Sequence, residues 1–217
     1  LCARIRCALG EDQQRRIEGL VAKIHQALQP GISEMFFARV PVLVEGLEDV
    51  SYITTELHLS DLWSEFRRLG CHLIPANGKD KLIQPLAIAV EMGLPVFTIF
   101  DADGNTQNLD HRIKHERDNR ALICLLGAAH EPFPTTNIIA TNHAIWQTNL
   151  GDAVKADFGE HHERLTNAAR VSYAHEGGLE KNDLFIAEWV TAGRDEGLTS
   201  ATLQRLCTAI LDFARAI

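Results

Sequence analysis

Apolar residues along this chain fall into two kinds of pattern, short unbroken runs and stripes spaced by three and four, and the two kinds alternate. Val40-Pro41-Val42-Leu43-Val44 and Pro95-Val96-Phe97-Thr98-Ile99-Phe100 are continuous runs rich in β-branched and aromatic side chains. Such runs predict strands covered on both faces of a parallel sheet, and a proline near the start of the first is tolerated. His72-Leu73-Ile74-Pro75 predicts a shorter strand, with Asn137–Ala140 and Ala144–Trp146 as weaker candidates. Helical patterns cover Val50–Leu57, Asp61–Leu69 and Leu82–Met92, the last stopped at Gly93. A further amphipathic helix is predicted over Glu11–Leu28, with Ile17, Leu20, Val21, Ile24 and Leu28 on one face and Pro30-Gly31 closing it. After the polar stretch Asn108–Asn119 a helix runs through Leu126, and from about Asp152 the chain reads as helical with breaks at Gly177-Gly178 and between Gly193 and Gly197. Strands alternating with helices predict an α/β fold, a mainly parallel sheet flanked by helices with an additional small helical domain. Its ligand site belongs at the carboxyl ends of the strands.

With 217 residues, 46% of them hydrophobic, the chain can bury one substantial core or an α/β domain plus a smaller helical one. We divide it into a helical segment at 1–32, a catalytic domain at 33–150 and a helical domain at 151–217. The formal net charge of -8 argues against a protein that coats nucleic acid non-specifically. It leaves room for carboxylates whose charge is met by bound cations. The five cysteines, Cys2, Cys7, Cys71, Cys124 and Cys207, form no CxxC pair, which predicts reduced thiols, a cytoplasmic setting and no zinc site. No apolar run reaches the roughly 18 to 20 residues of a membrane span, and no charged-then-apolar leader opens the sequence. The first residue is Leu1 rather than Met, which suggests a piece of a longer protein.

The acids carry the chemistry. Glu45 directly follows the first strong strand and Asp101 the second, so in a parallel sheet both emerge at one edge. Asp103 lies two residues beyond Asp101 and reaches the same ligand from an extended turn. Asp49 lies four residues after Glu45 and shares its face if a helix begins there. Four carboxylates in a partly buried cleft repel one another, and such a cluster normally implies bound cations. Hard oxygen ligands favour Mg²⁺ or Mn²⁺ over zinc. Two such ions, roughly 3.5–4 Å apart, activate a water and stabilise the leaving oxygen in phosphodiester hydrolysis. Taken singly, a DxD after a strand also serves as a turn or a helix cap; the joint placement gives the acids their weight.

The run Val42-Leu43-Val44-Glu45-Gly46 with Asp49, the loop Asn77-Gly78-Lys79, and Val96-Phe97-Thr98-Ile99-Phe100-Asp101-Ala102-Asp103-Gly104 resemble the successive motifs of a Toprim domain. This fold is shared by type II topoisomerases, bacterial primases and OLD (overcoming lysogenization defect) nucleases. Ser33-Glu34-Met35-Phe36-Phe37-Ala38 before the first strand, and the Asn119-containing helix after the DxD, resemble the OLD family in particular. The resemblance covers about residues 33 to 190. It implies a Toprim-like fold and a metal-dependent DNA endonuclease, the nuclease portion of an ATPase-linked protein. In the family this region follows an ABC-type ATPase domain, yet no GxxxxGK[ST] loop occurs here, so ATP would matter only to the full-length parent. DNA is the implied partner, with a homodimer formed through the ATPase domain, a helicase partner, and roles in phage defence or DNA repair.

Family active sites also use an acid after the last sheet segment and a lysine from the helical part. The resemblance puts Asp152 in the first role and Lys181, which would stabilise charge developing on the phosphate, in the second; Asp157 or Glu160 are alternatives to Asp152, and Lys181 also reads as a solvated helix residue. Arg112, Lys114, Arg117 and Arg120 follow the DxD and could track a DNA backbone, though a solvated loop or helix face explains them equally well. Lys79, in a Gly-containing loop at a strand end, has a better case for a phosphate contact. The ten histidines, including His161-His162 and His111 with His115, match no zinc motif and read as surface or structural. Two other functions stay open. A primase or topoisomerase is disfavoured because no zinc-ribbon cysteine set or tyrosine-bearing breakage domain is present and the only tyrosines are Tyr52 and Tyr173. A non-catalytic, metal-stabilised interaction module is the other.

Overall fold

The computed structural model describes residue 7, residues 30–173, residue 178 and residues 181–217. The helix expected over Glu11–Leu28, most of the segment 1–32 and the break at Gly177 lie outside the described residues. A single sheet runs β1 (Val40–Val44), β2 (Cys71–Pro75), β3 (Phe97–Asp101), β4 (Ile138–Ile139) and β5 (His143–Trp146), in the spatial order β2-β1-β3-β5-β4. β1 is parallel to β2 and β3, β3 is parallel to β5, and only the two-residue β4 is antiparallel. The mainly parallel sheet is therefore as the sequence predicts. Pro41 sits in a central strand without breaking a ladder. Val40 N–H donates to Gly70 O on the β2 side, so the next position faces β3, where pairing begins only at Val42.

Helices cover both faces: α1 (Leu47–Leu59), α2 (Trp63–Arg68), α3 (Lys79–Glu91), α4 (Leu109–Leu125), α5 (Leu150–Phe158), α6 (His162–Ser172), α7 (Asp183–Asp195) and α8 (Ala201–Arg215). Alternate residues of the strands feed two cores. Val40, Val42, Val44, Phe97, Ile99 and Trp146 pack with α1 and with α5 to α8, while Leu43, Ile74, Phe100 and Ile145 pack with α3 and α4. This double burial is why β1 and β3 read as unbroken apolar runs. Residues after 150 thus complete one of the two cores of the sheet.

The start of α4 differs most from expectation. α4 begins at Leu109, with the Asn108 side chain accepting the His111 N–H at 3.0 Å, so the polar stretch 108–119 is mostly helix. Its buried side chains include Asp118 and Asn119, and an apolar stripe cannot reveal a helix whose inward face is partly polar. Among the described residues no helix is long and apolar enough to cross a membrane.

Candidate active site

The carboxyl ends of β1 and β3 bring the acids together, and each is placed by a local backbone device. Glu45 follows β1, and its Oε2 accepts the Asp101 N–H at 3.3 Å. Asp49 lies in the first turn of α1, where its Oδ2 accepts the Gly46 N–H at 2.9 Å, as an acidic residue at that position of a helix does. Asp101 closes β3. The DxDG segment after it is stitched to the end of β5: Ala102 N–H donates to Trp146 O at 2.7 Å, Asp103 N–H to Thr148 O and Gly104 N–H to Gln147 O. Asp103 takes a left-handed φ of 54° rather than the extended turn expected, a conformation that Asp tolerates better than most residues. A Cβ at Gly104 would stand 2.8 Å from Gln147 O, so glycine permits this close approach. Behind the segment, Asn119 is fully buried and its Nδ2 donates to Ala102 O and Pro132 O at 2.9 and 2.8 Å.

These acids are short of solvent and feel one another. Burial pushes Asp49 up to about 7, with Glu45 and Glu48 adding to the shift. Burial also raises Asp101 well above the ordinary carboxylate range, reinforced by the charges of Asp49, Glu45 and Asp103. Glu45 is raised too, chiefly by burial, against the opposing charge of Lys79. Glu48, in the first turn of α1, is a fifth acid of the group, since its charge raises both Glu45 and Asp49.

Lys79 is not a loop residue but the first residue of α3, only 5% exposed, and its ammonium pairs with Asp103. The loop before it is held to the site: Gly78 N–H donates to Glu45 O at 2.9 Å. His115, on the second turn of α4, places Nδ1 3.1 Å from Asp103 Oδ2 and 3.4 Å from Lys79 Nζ. No sequence motif marks His115; the length of α4 and its start at Leu109 bring it here, and neither was legible.

The other expected site residues stand differently. Asp152 lies in the first turn of α5, 2.8 Å from Asn149 Nδ2 and 3.6 Å from Lys155 Nζ, and its charge reaches Tyr52 of α1. Asp157 accepts from Ser200 Oγ and Thr202 N–H at the start of α8, and Glu160 is exposed. Lys181 is 87% exposed and stands 3.5 Å from Glu48, at the rim of the acidic group. The basic residues of α4 have local partners: Arg112 donates to Gly104 O at 3.1 Å and lies over Phe133, Lys114 stands 3.4 Å from Asp80, Arg117 pairs with Asp118 and Arg120 with Glu116.

Asp101 tests whether this group suits a cation, because its Oδ1 is buried with no hydrogen-bond partner. A desolvated carboxylate oxygen with nothing to accept from is a poor end state unless a cation meets it. Among the described residues no three His, Cys, Asp or Glu side chains form a ready-made ligand set.

Residues 36–103 match the family model of the overcoming lysogenization defect protein-like TOPRIM domain. This stretch is an OLD-like TOPRIM domain. It holds Glu45, Asp49, Lys79, Asp101 and Asp103, and the rest of the sheet and the later helices extend beyond it. The fold of the whole is similar to the C-terminal region of the Xanthomonas campestris pv. campestris OLD protein. Against the structure phased with iodine the TM-score is 0.52 at 13% identity, covering 83% of this chain and 98% of that one. Against the structure phased with platinum it is 0.52 at 13% identity, covering 84% and 97%. At that identity the likeness is one of fold. No curated protein matches the sequence significantly.

Proposed function

We propose that this chain is the nuclease portion of an OLD-family protein, a Mg²⁺- or Mn²⁺-dependent endonuclease that hydrolyses DNA phosphodiester bonds with two ions. The observation that carries this reading is the desolvated acidic group at the sheet's carboxyl edge, with Asp101 Oδ1 left without a partner. Toprim domains generally bind divalent metals. Asp101 and Asp103 would hold one ion and Glu45 and Asp49 the other, with Asp152 as a further acid. Bound there, the ions supply a Lewis acid for the phosphoryl oxygens and lower the pKa of the attacking water.

The chain's own residues do the rest. Asn119 and the backbone of β5 fix the DxDG segment, so the carboxylates do not have to be ordered when substrate arrives. Lys79 carries a buried positive charge into the acidic group, where it offsets the repulsion between Asp103 and an approaching phosphate. Lys181, beside Glu48 at the rim, is our candidate to stabilise charge on the phosphate. Arg112, Lys114 and Arg117 would contact the flanking backbone, which positions DNA without reading its sequence.

Plasmid DNA incubated with the chain and Mg²⁺ or Mn²⁺ is expected to be nicked or cut. An Asp101→Ala, Asp103→Ala double variant should lose more than roughly 100-fold in rate, beyond the 10–100-fold usual for groups outside the ligand shell. Full cutting by that variant would remove these aspartates from the chemistry. Tight Mg²⁺ or Mn²⁺ binding by calorimetry with no turnover would point to the non-catalytic module instead.

A further inference from the structure

Beside the acidic group lies an open cavity of about 450 Å³ lined by residues of α1, α5, α6 and α7, a volume within the range of small-ligand sites. Tyr52, Phe185 and Trp189 give it aromatic surface, and its polar lining holds two cations, Lys155 and Arg170, one acid, Glu163, and the amide of Asn167. The rings are held by the core: Tyr52 and Trp189 meet edge to face at 6.4 Å, and both are at most 5% exposed. Buried polar atoms of the lining, Trp189 Nε1 and His162 Nδ1 among them, have no hydrogen-bond partner. Buried polar atoms usually meet a partner, a ligand or a water.

The cavity is joined to the acidic group through one side chain. Tyr52 lies three residues after Asp49 on α1, and so on the same face one turn further along. The turn entering α5 closes on its hydroxyl, since a Cβ at Gly151 would stand 3.1 Å from Tyr52 Oη. Asp152, in the same turn, is close enough for its charge to act on that hydroxyl. A ligand in the cavity would therefore extend from the place where the phosphodiester is held. What suits aromatic surface with unsatisfied polar atoms, the cations Lys155 and Arg170 in the same lining and a neighbouring phosphate site is a planar heterocycle on a sugar phosphate.

We infer that this cavity is a nucleotide subsite, which receives one unpaired base of the strand whose phosphodiester lies at the acidic group. The inference rests on the nuclease reading and sharpens it: the substrate is DNA with an unpaired or readily unstacked nucleotide beside the cut, since a base in a duplex would first have to leave the stack. Aromatic platforms hold single-stranded bases with little regard to sequence.

The test is binding without turnover. Anisotropy of a short labelled single-stranded oligonucleotide is measured in EDTA with the whole chain and with Asn167→Trp, which fills the cavity from an exposed position on α6. The variant is expected to bind roughly tenfold more weakly, the effect of losing one stacked base, with an unchanged melting temperature. Lys155→Ala should weaken binding in the same direction. An oligonucleotide with a single abasic site should lose a similar factor at one position and almost nothing elsewhere. If dAMP binds the wild-type chain and not Asn167→Trp while oligonucleotide binding ignores the variant, the cavity serves a free nucleotide and the strand assignment is overturned. Equal affinity of both probes for both proteins overturns the subsite itself. Because the readout needs neither metal nor cleavage, failure of the plasmid assay would sink the nuclease reading and leave this result standing.

Discussion

Asp49 shows how one side chain serves folding and the site at opposing expense. Its carboxylate caps α1 through the Gly46 N–H, yet it is almost wholly buried among other acids, which lifts its pKa from the ordinary 3.8 to about 7. Below about pH 4 the folded and unfolded states both hold this proton. Between there and about pH 7 the unfolded chain has released it while the folded chain keeps it. The unfolded state then binds fewer protons, so stability falls as pH rises through that window and levels off above it. A shift of this size is on the order of 4 kcal/mol. Urea unfolding in EDTA at about pH 5 and about pH 8 should show the metal-free protein less stable at the higher pH, and Asp49→Asn should have a shallower dependence. Glu45 and Asp101, raised for the same reason, keep the variant's slope from vanishing. Identical slopes for the two proteins would mean that Asp49 is not the strained acid. Mg²⁺ or Mn²⁺ should restore most of the lost stability at the higher pH, as any ligand of the folded state alone does.

At the scale of elements, α4 and the DxDG segment stabilise each other through Asn119. Replacing Asn119 by alanine leaves the carbonyls of Ala102 and Pro132 buried without their donor. Each unsatisfied group costs about 1–3 kcal/mol, so Asn119→Ala is expected to lose roughly 2–4 kcal/mol in urea unfolding and to weaken divalent-ion binding by calorimetry. A stable variant with unchanged ion affinity would show that the segment holds its shape without α4. This contact also marks the limit of what the sequence displays. β1 and β3 were legible because burial on both faces writes an uninterrupted apolar run, and the acids at their ends were legible because strand ends fix their location. The start of α4 was not, because its inner face is made of Asp118 and Asn119 as well as alanine and leucine, and polar residues satisfied inside a fold look solvated in a sequence. His115 was lost with it. Lys79 read as a loop cation because Gly78 before it looks like a turn; in the structure that glycine, with φ 131°, is the residue preceding the first turn of α3, and the lysine is buried against Asp103.

Across the whole molecule, the segment 151–217 is tied to the sheet by more than apolar contact. Ser51 Oγ on α1 donates to Asp183 O at 2.7 Å where α7 begins, and Arg194 near its end donates to Glu56 Oε1 at 3.0 Å. Glu56 is only 1% exposed, so its charge depends on Arg194 and on the Ser60 hydroxyl, 2.6 Å away. Removing one member of a buried ion pair typically costs about 3–5 kcal/mol. The retained Ser60 bond and the partial exposure of Arg194 place Arg194→Met near the low end of that range. More telling is the shape of the transition. The sheet residues Val40, Val42 and Val44 share one core with Leu206, Ile210 and Leu211 of α8, so neither stretch has a complete apolar face without the other. Arg194→Met should therefore lower the midpoint of a single transition followed both by far-ultraviolet circular dichroism and by the fluorescence of Trp63 in α2, Trp146 in β5 and Trp189 in α7. Separate midpoints, with α7 melting before the sheet, would mean that the helical segment is a module docked on the TOPRIM domain. In that case a cavity lined by α1 of the one and α6 and α7 of the other would open and close with the docking, and nucleotide affinity would fall with the midpoint of the helical segment rather than with that of the sheet.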